Sequence, residues 1–235
     1  NGLSNQGFQP TVLRVDTYGT GSGVPEENNY LYGFFGILQG ATVKNLNMTN
    51  VNIATEEILL DSVGAIAGFA SGSVTIENCT ASGSIEGQDA VAGIIGRIYL
   101  KKVDQKAEIR NCTSNINIVT VGQKAAGITA YARLDGPESE EKLIFITDCV
   151  NNGNIQAADY AAGIATAEDS GAICGKHFSV TNCSNTGNIT ATNNIGQILA
   201  LGGESTTAQW VIENCTGTGT LSAATVCWNE NGESI

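Results

Sequence analysis

Charge is scarce in this sequence, and so are proline, histidine and long apolar runs. Only 14% of its 235 residues are charged and 42% are apolar, a balance that excludes an intrinsically disordered chain. Three prolines exclude a proline-rich linker. Eleven basic residues against 23 acidic ones give a formal charge of −12, so no nucleic-acid partner is expected. No apolar run approaches the ~20 residues that cross a bilayer, so no membrane span is expected. No secretory leader is visible and Asn1 stands where an initiator Met would, so we expect a mature or trimmed part of a longer polypeptide. Seven cysteines are too sparse for a disulfide scaffold, and the odd number leaves at least one thiol unpaired. The single histidine, His177, leaves no H-E-x-x-H zinc signature, and no D-x-D-x-D-G or G-G-x-G-x-D calcium run occurs. No metal or cofactor is expected.

What the chain does have is a repeat. Residues 73–87 read S-V-T-I-E-N-C-T-A-S-G-S-I-E-G, and the same frame returns at Asn45-Leu46, Asn78-Cys79, Asn111-Cys112, Asp148-Cys149, Asn182-Cys183 and Asn214-Cys215. The steps are 33, 33, 37, 34 and 32 residues, a period that marks a solenoid. Each unit reads as three short strands. The first carries a column of Phe34, Ile66, Ile94, Ile128, Ile164 and Ile198. Two residues on, a small column runs through Gly36, Gly68, Gly96, Ala130, Thr166 and Ala200; period two places both columns on one face. The second strand has Val43, Ile76, Ile109, Ile146, Val180 and Ile212 two residues before the Asn, and the third carries Ile53, Ile85, Ile118, Ile155, Ile189 and Leu221. Three strands per turn in register make an all-β, right-handed parallel β-helix of about six coils. We expect an N-terminal capping segment or degenerate first coil over 1–29, the β-helix over 30–222, and a C-terminal cap or the start of a further segment over 223–235. The 29 glycines supply the backbone freedom such tight coils need.

Two columns could carry chemistry. The Cys column reads first as a buried ladder of small apolar thiols. Disulfides between neighbouring coils and a metal column are the sharper alternatives, but parallel Cβ vectors and a line of thiolates suit neither well. The Asn column reads as a turn position, because Asn tolerates the left-handed region and its amides can hydrogen-bond from coil to coil.

Insertions collect at one corner. Between the small column and the second strand the units hold 4, 5, 10, 13, 11 and 9 residues, whereas the return connection stays at 5 or 6 after the first unit's 9. In repeat proteins the inserted side is often the binding side. The three longest insertions contain seven of the 11 basic residues, together with aromatic and acidic partners. The candidate binding residues are Arg97, Tyr99, Lys101, Lys102, Tyr131, Arg133, Lys176 and His177. Loops knitted together by solvated salt bridges are the competing explanation.

The combination of G-x-I-x-G, T-I-E-N-C and G-x-I resembles the Glug repeat. The resemblance spans about 31–221, is closest at 63–87 and 148–190, and is weakest in the last unit, where Gln197 replaces the usual Gly. It implies a bacterial, extracellular or cell-surface β-helical module annexed to other domains, with no catalytic residues of its own. The expected function is a non-catalytic, monomeric, stalk- or adhesin-like module that binds a glycan, polysaccharide or host protein through the long loops. A carbohydrate-active lyase or hydrolase with acids from those loops, such as Asp135 or Glu168, is the alternative.

Overall fold

The computed structural model describes residues 4–6, 13–14, 30–54, 60–134, 143–168, 178–202 and 210–223. The chain winds as a parallel β-solenoid whose walls are four ribbon-like sheets, here numbered I to IV in the order each coil visits them. In the third coil they are entered at Ala90–Ala92, Ile95–Leu100, Ala107–Arg110 and Thr113–Thr120. Sheets II and III hold six stacked strands each. Five coil-to-coil steps at about 4.8 Å give a stack roughly 24 Å long.

Register runs column by column. Ile109 lies between Ile76 and Ile146, and Ile85 pairs with Ile53 and Ile118. These side chains are fully or almost fully buried and belong to one continuous core. Strands of sheet III alternate buried and partly exposed positions, as at Val74–Glu77 and Ile144–Thr147. That alternation is the physical content of the period-two columns.

Each coil has four strand segments, not the expected three, because the first segment bends at the isoleucine column. Ile94 sits at the corner between Ala90–Ala92 and Ile95–Leu100, and its side chain points into the core. The bend breaks period two, so the small column does not share the core with the isoleucines. Ala130 belongs instead to a second apolar cluster, with Leu31, Phe69, Ala90, Ala92, Ala126, Tyr99 and Tyr131. This cluster fills the outer angle between sheets I and II. A Cβ on Gly96 would lie 2.6 Å from the backbone nitrogen of Val63 in sheet I, so the column is small because two backbones meet there.

The Asn column behaves as its chemistry requires. Asn45, Asn78, Asn111, Asp148, Asn182 and Asn214 all have φ between 51 and 56°, the left-handed region. Asn78 Nδ2 donates to Asn45 Oδ1 (3.3 Å) and Asn111 Nδ2 to Asn78 Oδ1 (2.6 Å). The residue after each Asn then turns inward. Cys79, Cys112, Cys149 and Cys183 are buried, Cys215 is half-buried, and all five are free thiols. Each donates to the carbonyl two residues before it, at 3.2 to 3.4 Å. The ladder reading holds; Cys174 and Cys227 lie outside the described residues.

At the amino-terminal end, Ser4–Gln6 pairs in parallel with the Asn47–Ile53 strand, and Leu13–Arg14 pairs antiparallel with Tyr30–Tyr32. These pairings satisfy strand edges of sheets IV and I that would otherwise template another chain.

Candidate functional site

The insertions after sheet II do not leave the wall at once. In the third and fourth coils they lengthen the sheet II strands to six residues, Ile95–Leu100 and Thr129–Leu134. Arg97, Tyr99 and Tyr131 therefore stand on strands, not in loops, with Arg97 paired to Tyr131 and to Phe69. Their side chains project into the angle between sheets I and II, where they are only 9%, 8% and 5% exposed.

A compact polar and aromatic cluster results. The Arg97 guanidinium donates to Asp89 Oδ2 at 2.6 Å and lies 5.0 Å from the centroid of the Tyr131 ring. Lys124 Nζ stands over the same ring at 5.1 Å, donates to Gln123 Oε1 at 2.9 Å and lies 3.7 Å from Asp89 Oδ1. Tyr99 bridges the rings of Phe69 (5.1 Å) and Tyr131 (5.9 Å). Asp89 thus counters two cations that share one aromatic ring. Desolvated cation–π contacts of this kind are worth roughly 1–2 kcal/mol each. The arrangement packs the outer angle and fixes the strand ends.

Lys101 and Lys102 are exposed in the turn just past this wall, apart from the cluster. Gln105 Oε1 accepts from their backbone nitrogens at 2.7 and 3.2 Å, and Gln105 N donates to the Lys102 carbonyl at 3.1 Å. Lys106 lies 5.8 Å over the Phe145 ring of the next coil. Arg133 is paired to Tyr99 along the backbone, but its side chain is outside the described residues, as are Lys176 and His177. Asp135 also falls outside them, and of Glu168 only the backbone is described. The eight sequence candidates therefore divide. Arg97, Tyr99 and Tyr131 come together, Lys101 and Lys102 form a separate exposed turn, and the other three receive no side-chain placement.

Asp89, Lys124 and Phe69 are the members that the sequence did not single out. Lys124 interrupts an otherwise uncharged column, pairing with Ala90 in the coil before it and Tyr160 in the coil after it. A lone cation within such a column was the signal that could have found it. On sheet III a second charged group is built from stacked coils: Glu77 lies 2.7 Å from Lys44 and 3.1 Å from Arg110, which also reaches Glu108 at 2.9 Å. The hydrogen bonds from Lys44 and Arg110 hold the Glu77 carboxyl below the usual carboxylate range.

Among the described residues no group of three or more His, Cys, Asp or Glu is placed to hold a metal ion. No described helix is long and apolar enough to cross a membrane. No family model, curated protein or solved structure matches the chain.

Proposed function

We propose that the chain is a non-catalytic β-solenoid module of Glug-repeat type, belonging to a secreted or cell-surface bacterial protein. It acts as a stiff stalk that presents a contact surface for a glycan or protein. The observation that carries this reading is where the repeat places its polar groups. The Asn and Cys columns are used in coil-to-coil hydrogen bonds, and Asp89 is engaged by both Arg97 and Lys124 within their own cluster. None of these groups is arranged as a nucleophile–base or carboxylate pair. Contact with a partner then falls to the inserted corner beyond sheet II, where Lys101 and Lys102 are exposed.

A combined glycan and protein array with the intact chain tests this. Binding should appear and weaken in a Lys101→Glu, Lys102→Glu variant, whose positions are exposed and whose exchange leaves the core untouched. Array binding that the double variant leaves unchanged excludes the corner as the contact. Turnover of any polysaccharide on the panel excludes the non-catalytic reading.

A further inference from the structure

The outward face of sheet IV differs from every other wall of the solenoid. From the third coil on, its residues alternate between inward positions and exposed ones, as along Thr113–Thr120. On the third to sixth coils of this face, across 113–120, 150–156, 184–191 and 216–222, there is no charged residue, in a chain that holds 23 acidic and 11 basic ones. The second coil's strand, Thr80–Gly87, carries the exposed Glu86 beside Val119 and bounds the uncharged area. The exposed positions are filled with amides and hydroxyls. The two exposed large aliphatic side chains among the described residues, Val119 (38%) and Val121 (77%), lie on this face and at its edge.

These polar groups are held in fixed positions. Asn117 Oδ1 accepts from the backbone nitrogen of Asn154, Asn154 Oδ1 from that of Asn188, and Asn188 Oδ1 from that of Thr220, each at 3.0 Å. A neighbouring column repeats the device, with Asn152 Nδ2 donating to Asn115 Oδ1 and Thr186 Oγ1 to Asn152 Oδ1, both at 2.8 Å. With its oxygen committed to the next coil, the exposed amide of Asn117, Asn154 or Asn188 presents an NH2 group that carries two donors, whereas Asn152 has already used one of its two. The result is a flat, uncharged array of donors and hydroxyls repeating at about 4.8 Å along the stack.

The chemistry of the face narrows the occupant. Nucleic acid requires cations, and the face has none. Protein interfaces centre on Trp, Tyr and Arg, which are absent from these ranges. Acidic polymers meet a protein of formal charge −12. A neutral polymer dense in hydroxyls can both donate to and accept from such an array, and its C–H faces can rest on Val119 and the threonine methyls.

We propose that the outward face of sheet IV, over the third to sixth coils, binds a neutral, extended polysaccharide through its amide and hydroxyl columns. This rests on the reading of the chain as a binding module and adds a second contact face, specific for neutral polysaccharide, to the inserted corner. Affinity electrophoresis of the intact chain through gels containing mixed-linkage β-glucan, galactomannan or polygalacturonate, with sedimentation velocity in parallel, tests it. Retardation is expected in at least one neutral gel and not in polygalacturonate. Asn154→Asp keeps the acceptor for Asn188 but replaces the outward NH2 with charge, and should weaken retardation about tenfold, the loss of about 1.4 kcal/mol. Thr42→Asp, exposed on sheet III, should leave retardation unchanged. Retardation by polygalacturonate, by no neutral gel, or unaffected by Asn154→Asp would overturn the proposal, as would concentration-dependent dimerisation abolished by Asn154→Asp. Loss of retardation in the Lys101→Glu, Lys102→Glu variant alone would retain the binding module and overturn this placement.

Discussion

Gln197 fills in the last coil the space that an asparagine fills in the two coils before it, and Gly217 makes room for it. In the fourth and fifth coils Asn151 and Asn185 sit inside the core, and each donates to the carbonyl of a glycine two residues on, at 2.9 Å. Gly127 and Gly163 face them; a Cβ at either would come within 2.5 Å of the asparagine side chain. In the sixth coil the pair is exchanged. Gly217 takes the asparagine position, and Gln197, from the glycine position, sends its amide into the same space. Gln197 Nε2 donates to the Gly219 carbonyl, and Gln197 Oε1 accepts from Asn185 Nδ2 at 2.6 Å. The buried amide ladder therefore continues across the exchange, with Asn151 Nδ2 donating to Asn185 Oδ1 at 2.7 Å.

This compensation predicts a strong coupling between the two positions. Gln197→Gly should cost about 2 kcal/mol by removing packing and hydrogen bonds. Gly217→Asn should cost about the same, because its Cβ would stand 2.4 Å from that of Gln197. The double variant rebuilds the Gly–Asn pair of the earlier coils and should return to within about 1 kcal/mol of the parent. Urea unfolding of the four proteins measures the coupling; additive losses would contradict it.

The left-handed turn predicts an inverted ranking at Asn111. With φ at 51° an alanine is strained and a glycine is not. Both changes remove the bond to Asn78, so Asn111→Gly should destabilise by about 1 kcal/mol and Asn111→Ala by about 2 kcal/mol. Denaturant midpoints for the two variants check the order.

Glu77 gives a pH dependence with a defined sign. Its bonds to Lys44 and Arg110 lower its folded-state pKa below the unfolded value. The stability it contributes is therefore full above the unfolded pKa and is lost as pH falls through the folded one. Melting temperature followed through the acid range should fall less steeply in Glu77→Gln than in the parent. The same slope in both proteins would show that the pair does not contribute in solution.

Much of this fold was legible in the sequence because solenoid columns repeat what any single coil leaves ambiguous. Ile76, Ile109 and Ile146 announce a buried strand face through position alone, and the Asn–Cys frame marks the turn that follows. The bend beside Ile94 was not legible, since period two assumes a straight strand and the approach of Gly96 to Val63 is set between coils. That is why Gly96 and Ala130 were expected on the core side. Arg97 and Tyr131 read as loop residues because they fall in the variable-length insertions. The alternation through Arg97-Ile98-Tyr99-Leu100 was the sign that sheet II continues there. Gln197 was visible as a departure from the repeat, but its partner Gly217 was recognisable only once the two were seen facing each other.

The packing of the repeat frame into buried columns is tested most directly by thiol labelling with site-resolved mass readout. Cys79, Cys112, Cys149 and Cys183 are buried, and the neighbouring thiols of Cys112 and Cys183, together with burial, push the Cys149 thiol well above its usual pKa. In the native protein these four should remain unmodified by a small alkylating reagent near neutral pH, and all four should label as free thiols after unfolding under non-reducing conditions. Native labelling of the four at the rate of an exposed thiol, or their loss to disulfides in the unfolded sample, would contradict a stacked and buried column.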